Sequence, residues 1–121
     1  MNKWLPVCGV AGATAVMFGA AGAHLIKDLE DEKKNAKFKK VFDIGVQYHL
    51  AHSIALTSAA LGLKCGRKKN LVCGAFSVGI ILFSGSCYAV GISKERLPYS
   101  RPAPFGGFAL ITAWLLLGFF P

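Results

Sequence analysis

Apolar residues along this chain fall into four blocks, Leu5–Ile26, Ile44–Leu63, Leu71–Ile92 and Pro104–Pro121, none of which contains a Lys, Arg, Asp or Glu. At a rise of about 1.5 Å per residue, about 18 to 22 residues cross a hydrocarbon core of roughly 30 Å. A helix on the surface of a water-soluble protein would show charge on one face at every second turn, and these blocks show none. The pattern predicts an all-α fold: a four-transmembrane-helix bundle forming one integral membrane domain over residues 1–121, with spans near 5–26, 44–63, 71–92 and 104–120. Lys3, the apolar run and Ala21-Gly22-Ala23 also have the outline of a secretory signal with an A-x-A cleavage site. The length of the run suits a full span, so it is expected to be the first transmembrane helix.

The connectors carry the remaining pattern. Lys27–Asp43 gathers its acids early (Asp28, Glu30, Asp31, Glu32) and its lysines late (Lys33, Lys34, Lys37, Lys39, Lys40). That order complements a helix dipole, and Glu30 and Lys34 stand in the favourable i,i+4 order. Phe38, Val41, Phe42 and Gly45 keep a helical spacing, a narrow stripe suited to the headgroup layer. An interfacial amphipathic helix that runs into the second span is therefore expected. Lys64–Asn70 is short enough to force spans two and three into a hairpin. The third connector holds Pro98 and Pro102, with Pro104 just beyond, and should be extended until a helix starts there. Six lysines in the first connector and three Lys/Arg in the third favour placing these two inside.

Charge then changes the picture of partners. The formal net charge of +8 and a pI near 9.6 sit wholly in short loops beside lipid, so membrane surfaces are favoured over nucleic acid. Lys64, Arg67, Lys68 and Lys69 form a run without an acid, suited to anionic headgroups at about 1 kcal/mol per residue. Cys8, Cys65, Cys73 and Cys87 form no CxxC pair and three of them fall inside spans, where cysteine behaves as a small apolar residue. Neither a disulfide framework nor a zinc knuckle is indicated.

Helices in lipid associate through small residues and polar contacts. Span one offers Ala15, Gly19, Gly22 and Ala23, and span three offers Ser84, Gly85 and Ser86; Gly106 and Gly107 open the fourth. All are read as packing surfaces. The polar exceptions are His24 at the end of span one and His49 and His52 near the start of span two, with Tyr48 alongside. As the chain returns across the same face, the three histidines are expected at similar depth. An ionisable residue inside a span is a functional hypothesis by default, and imidazole is a common metal or haem ligand. Yet the spans offer no carboxylate, and histidine also serves as an interhelical hydrogen-bonding group, worth about 0.6 kcal/mol on average. Structural use leads; metal or haem binding and proton relay follow. No nucleophile elbow, phosphate loop, HExxH or paired carboxylates occur, so no enzyme and no cofactor are expected.

Gly19-Ala20-Ala21-Gly22-Ala23-His24, then Tyr48-His49 with His52, Phe83-Ser84-Gly85-Ser86-Cys87-Tyr88, and Pro104, Gly106, Gly107 and Trp114 occur in one order along nearly the whole chain. In these pieces the chain resembles the small membrane protein family that contains vertebrate transmembrane protein 256 and many bacterial proteins of unknown function. One departure is His49, where relatives often carry glutamine. The resemblance implies a multi-span membrane protein, in the mitochondrial inner membrane of a eukaryote or the plasma membrane of a bacterium, with no established reaction. The leading expectation is a non-catalytic accessory or assembly subunit of a mitochondrial inner-membrane complex of respiratory type, bound to other membrane subunits. The alternatives are a metal- or haem-binding protein using the histidines, and an oligomeric solute or proton carrier lined by Gln47, Tyr48, Ser84 and Ser86.

Overall fold

A computed structural model describes residues 2–25, 32–95 and 97–121, apart from the side chains of 23–25, 32, 34 and 35. Among these residues there are four helices and no strand: α1 (Leu5–Leu25), α2 (Glu32–Gly62), α3 (Arg67–Ser93) and α4 (Ala103–Phe119). Asn2 starts α1, its Oδ1 accepting the Trp4 amide at 3.1 Å. Gly66, at φ 147°, supplies the left-handed residue of the tight α2–α3 hairpin. Lys94 ends α3 in the left-handed conformation, its amide donating to the Val90 carbonyl at 2.9 Å. Pro102 and Pro104 open α4. The connector before them is a run of turns and not extended as expected, the Arg101 N–H donating to the Pro98 carbonyl at 3.1 Å and the Ala103 N–H to that of Ser100 at 3.2 Å.

Two helices, α1 and α3, are long and apolar enough to cross a membrane, judged by length and composition. α4 has 17 residues and is shorter. In α2 the uncharged stretch is interrupted by Gln47, Tyr48, His49 and His52.

The helix of the first connector runs into the second span as expected, and the difference in α2 is where its aromatic stripe packs. This helix is continuous over 31 residues, about 46 Å, so the basic segment after Glu32 forms its first turns and no separate element lies between α1 and α2 within the described residues. The expected acidic start at Asp28, Glu30 and Asp31 lies outside the described residues, as does the Lys34 side chain. The Phe38–Phe42 stripe does not lie on headgroups. Phe42 is 0% exposed and packs with Tyr88, Phe18, Phe38 and Val46 in a small aromatic core. Burying two helices' worth of apolar surface against that ring outweighs spreading one thin stripe on an interface.

The helices run antiparallel in chain order. Close pairs of α1 with α2 are Thr14 with His49, Gly19 with Val46 and Gly22 with Phe42. α2 meets α3 at Gly45, where a Cβ would stand 2.6 Å from that of Cys87. α3 meets α4 where Gly79 faces Leu110 and Gly106 lies against the backbone of Leu82 and Phe83. A larger core at the other end joins Leu56, Ala60, Val72, Phe76 and Ala113. Within α3, Ile80–Ser84 is wound as a π-helix, a local excess of one residue that is common beside functional sites.

Candidate functional site

The polar side chains of the bundle assemble at the level of His49, which is 5% exposed. Its Nδ1 lies 2.7 Å from the Tyr88 hydroxyl of α3, and its Nε2 lies 3.2 Å from Thr14 Oγ1 of α1. Thr14 donates its own hydrogen to the Val10 carbonyl at 2.7 Å. Its oxygen can therefore only accept from the ring, which places the imidazole hydrogen on Nε2 and leaves Nδ1 to accept from Tyr88. The result is one directed chain, Tyr88 O–H to His49 to Thr14 to the α1 backbone, and it ties three helices together. One turn away, Ser84 donates to the Gly45 carbonyl at 2.8 Å.

His52 works elsewhere. Its Nδ1 donates to the Tyr48 carbonyl at 2.7 Å, and its Nε2 accepts the Trp114 indole N–H of α4 at 3.1 Å. The Tyr48 ring rests between His52 and Phe83. His49 and His52 thus diverge around α2, the first toward α1 and α3, the second toward α4. Each ring has both nitrogens committed to protein groups.

The expected three-histidine layer is not formed. The His24 side chain lies outside the described residues, but its backbone position on α1 is ten residues past Thr14, about 15 Å along the axis. The pairing of Gly22 with Phe42 sets His24 level with residue 40 or so rather than 49. The reason is the early start of α2 at Glu32. Among the described residues no three His, Cys, Asp or Glu side chains converge as a metal site would need. The oligomeric-pore residues are also split: Gln47 and Tyr48 are exposed, whereas Ser84 and Ser86 are buried.

Several packing residues read from sequence do close helix contacts. Gly19 meets Val46, Gly22 meets Phe42, and Gly106 meets the α3 backbone; Ser86 is buried and bonds back to Leu82. Gly85 and Gly107 differ, since a Cβ at either would meet nothing. In the basic run Lys64 and Arg67 are exposed and Lys68 half-buried, but Lys69 is buried, so it leaves the headgroup-facing set. Thr14 was missed because a threonine in a glycine–alanine helix gives no signal of its own. The antiparallel register would have matched it with His49.

Between α1 and α3 the network floors a lateral groove of 570 Å³. Outside its lining, the Trp4 indole of the chain start donates to Asn70 Oδ1 of α3 at 3.0 Å. At one end of the groove, Phe18 of α1 stacks on Tyr88 of α3 with centroids 4.1 Å apart. Apolar residues including Val7, Val10, Ile80 and Ile81 form the walls.

Comparison with known proteins gives a consistent picture. Residues 18–107 match the model of a family described as "Protein of unknown function (DUF423)". The UPF0382 membrane protein YwdK of Bacillus subtilis is 32% identical, over 97% of this chain and 94% of its own. A UPF0382 membrane protein of Haemophilus influenzae is 29% identical over 98% and 92%. The UPF0382 inner membrane protein YgdD of Escherichia coli is 26% identical over 89% and 80%. No solved structure matches. With three-quarters of its length inside that model and relatives matched nearly end to end, the chain belongs to the DUF423 family, membrane proteins of unknown function.

Proposed function

We propose that the chain is a four-span integral membrane protein without a reaction of its own, acting as an accessory or assembly element for other membrane proteins. The observation that carries this reading is an open flank of α1. The inner face of α1 spends Ala15, Gly19 and Gly22 on α2. A flank of the same helix presents Gly9 and Gly12, where a Cβ would meet nothing, in line with Val16, which is 66% exposed. Small residues on a lipid-facing helix let a second helix approach closely. His49 and His52 support the same reading, because both nitrogens of each ring are taken up in hydrogen bonds within the bundle.

In this reading α2 spans with its uncharged half, α4 spans at the lower length limit of about 17 residues, and the α2–α3 hairpin sets Lys64, Arg67 and Lys68 against anionic headgroups. The bacterial plasma membrane is the compartment that the relatives' names support, and the mitochondrial inner membrane is its eukaryotic counterpart. A respiratory-type complex is the particular assembly to look for.

Membranes solubilised in mild detergent and run on native gels should show the protein in a large assembly. Gly9→Leu with Gly12→Leu should release it as a folded monomer of unchanged helicity. A wild-type protein that runs alone under those conditions would sink the reading.

A further inference from the structure

The groove between α1 and α3 has a chemistry that the packing role does not use. Four hydroxyls line it, those of Thr14, Ser77, Ser84 and Tyr88. Each has its hydrogen directed away from the groove: Thr14 to Val10 O, Ser77 to Cys73 O at 2.8 Å, Ser84 to Gly45 O, and Tyr88 to His49 Nδ1. The His49 N–H is likewise taken by Thr14. Ser84 and Tyr88 are buried, so the oxygen lone pairs left to an occupant are those of the half-buried Thr14 and Ser77. No charged side chain lines the groove, so neither a phosphate nor an ammonium has a counter-ion there.

We propose that this groove is a binding site for a neutral, single-chain amphiphile whose head donates a hydrogen bond, that is, a long apolar chain ending in a hydroxyl. The volume of 570 Å³ falls within the roughly 300–1,000 Å³ typical of small-molecule sites. Its walls run from Pro6 to Phe18 on α1, about 18 Å, and are apolar as a chain requires. Entry is from the lipid along the seam between α1 and α3, and the Phe18–Tyr88 stack closes one end. The π-helical turn Ile80–Ser84 lies in the α3 wall and brings Ser84 to the floor. Phosphatidylcholine, which carries no O–H or N–H, fills such a groove with an acyl chain but cannot satisfy its acceptors. A hydroxyl donor is selected over it and over an ether of equal length.

The test uses the full chain in phosphatidylcholine nanodiscs with a diazirine-bearing hexadecanol as photoprobe, and peptide mapping of the adducts. Labelling is expected on the α1 segment 6–18 and the α3 segment 77–88. Unlabelled hexadecanol or a prenyl hydroquinone, which carry the same donor, should displace the probe, and their relative potency separates an aliphatic from an aromatic head. Hexadecyl methyl ether should compete about tenfold less well, the effect of one unmade hydrogen bond. Gly85→Leu fills the groove where a Cβ meets open space, so it should keep helicity and thermal midpoint while abolishing the labelling. Equal competition by alcohol and ether overturns the donor rule. Unchanged labelling of 6–18 and 77–88 in folded Gly85→Leu, or adducts spread over all lipid-facing helices, overturns the site.

Discussion

Replacing Tyr88 by Phe removes one atom from the directed chain Tyr88–His49–Thr14 and leaves the His49 Nδ1 lone pair in a buried, apolar setting. Interhelical hydrogen bonds in membranes average about 0.6 kcal/mol and reach about 1.7. This bond is short at 2.7 Å and buried, and the ring it serves bonds onward to α1, so the upper part of that range applies: about 1–1.5 kcal/mol for Tyr88→Phe. His49→Leu breaks both bonds and leaves the Tyr88 hydroxyl unpaired, which should cost about 2 kcal/mol. The double variant should cost distinctly less than the two added, with a coupling energy of about 1 kcal/mol. His49→Gln is the informative control. An amide oxygen can accept from Tyr88 while the amide N–H₂ donates to Thr14, so most of the stability should return. Reversible unfolding in bicelles, followed by steric trapping or near-ultraviolet circular dichroism, reads all four proteins. Additive costs, or His49→Gln as damaging as His49→Leu, would refute the chain.

Other expectations follow from the packing. Gly45→Ala sets a Cβ 2.6 Å from that of Cys87 and 3.2 Å from the Tyr88 ring; α2 and α3 must part, at about 1–3 kcal/mol, measurable as a lower thermal midpoint. Gly9→Ala meets open space and should leave the monomer as stable or more so by about 0.5–1 kcal/mol. Cys65 is exposed while Cys8, Cys73 and Cys87 are buried, so an impermeant maleimide should modify one thiol in the folded protein and four after denaturation; labelling of intact cells would also report the side of the α2–α3 hairpin. Changing Lys64 and Arg67 to Gln should weaken retention of anionic lipid during purification, at about 1 kcal/mol per charge, whereas Lys69→Gln should not, its side chain being buried.

Much of the fold was legible because lipid-crossing segments are marked by the absence of charge, a signal independent of tertiary contacts. Leu5, Arg67 and Ala103 as helix starts fall within a few residues of the block edges. What sequence reading mistook was Phe38–Phe42. A segment thick with lysines looks interfacial, and only the depth of α1 and the glycines at Gly22 and Gly91 reveal that its aromatic side has a seat inside the bundle. That single misplacement set the close pairing of α1 with α2 too late in the chain and gathered His24, His49 and His52 into a layer that the register does not allow. The identities of the polar residues were visible; their partners Thr14, Tyr88 and Trp114 depended on helix phase, which periodicity in a uniformly apolar block cannot supply.

Phase also governs what insertions and deletions do to this chain. The wide turn at Ile80–Ser84 absorbs one residue more than regular winding needs. Deleting one residue between Gly79 and Gly85 would return this turn to regular winding and keep the phase of both flanks, so that Tyr88 still meets His49 and Gly79 still meets Leu110. A deletion in a regularly wound part of α3 would instead swing everything downstream by about 100°. A homologue shorter by one residue at this point can therefore keep both contacts, and an alignment that puts its gap elsewhere would equate side chains pointing in different directions.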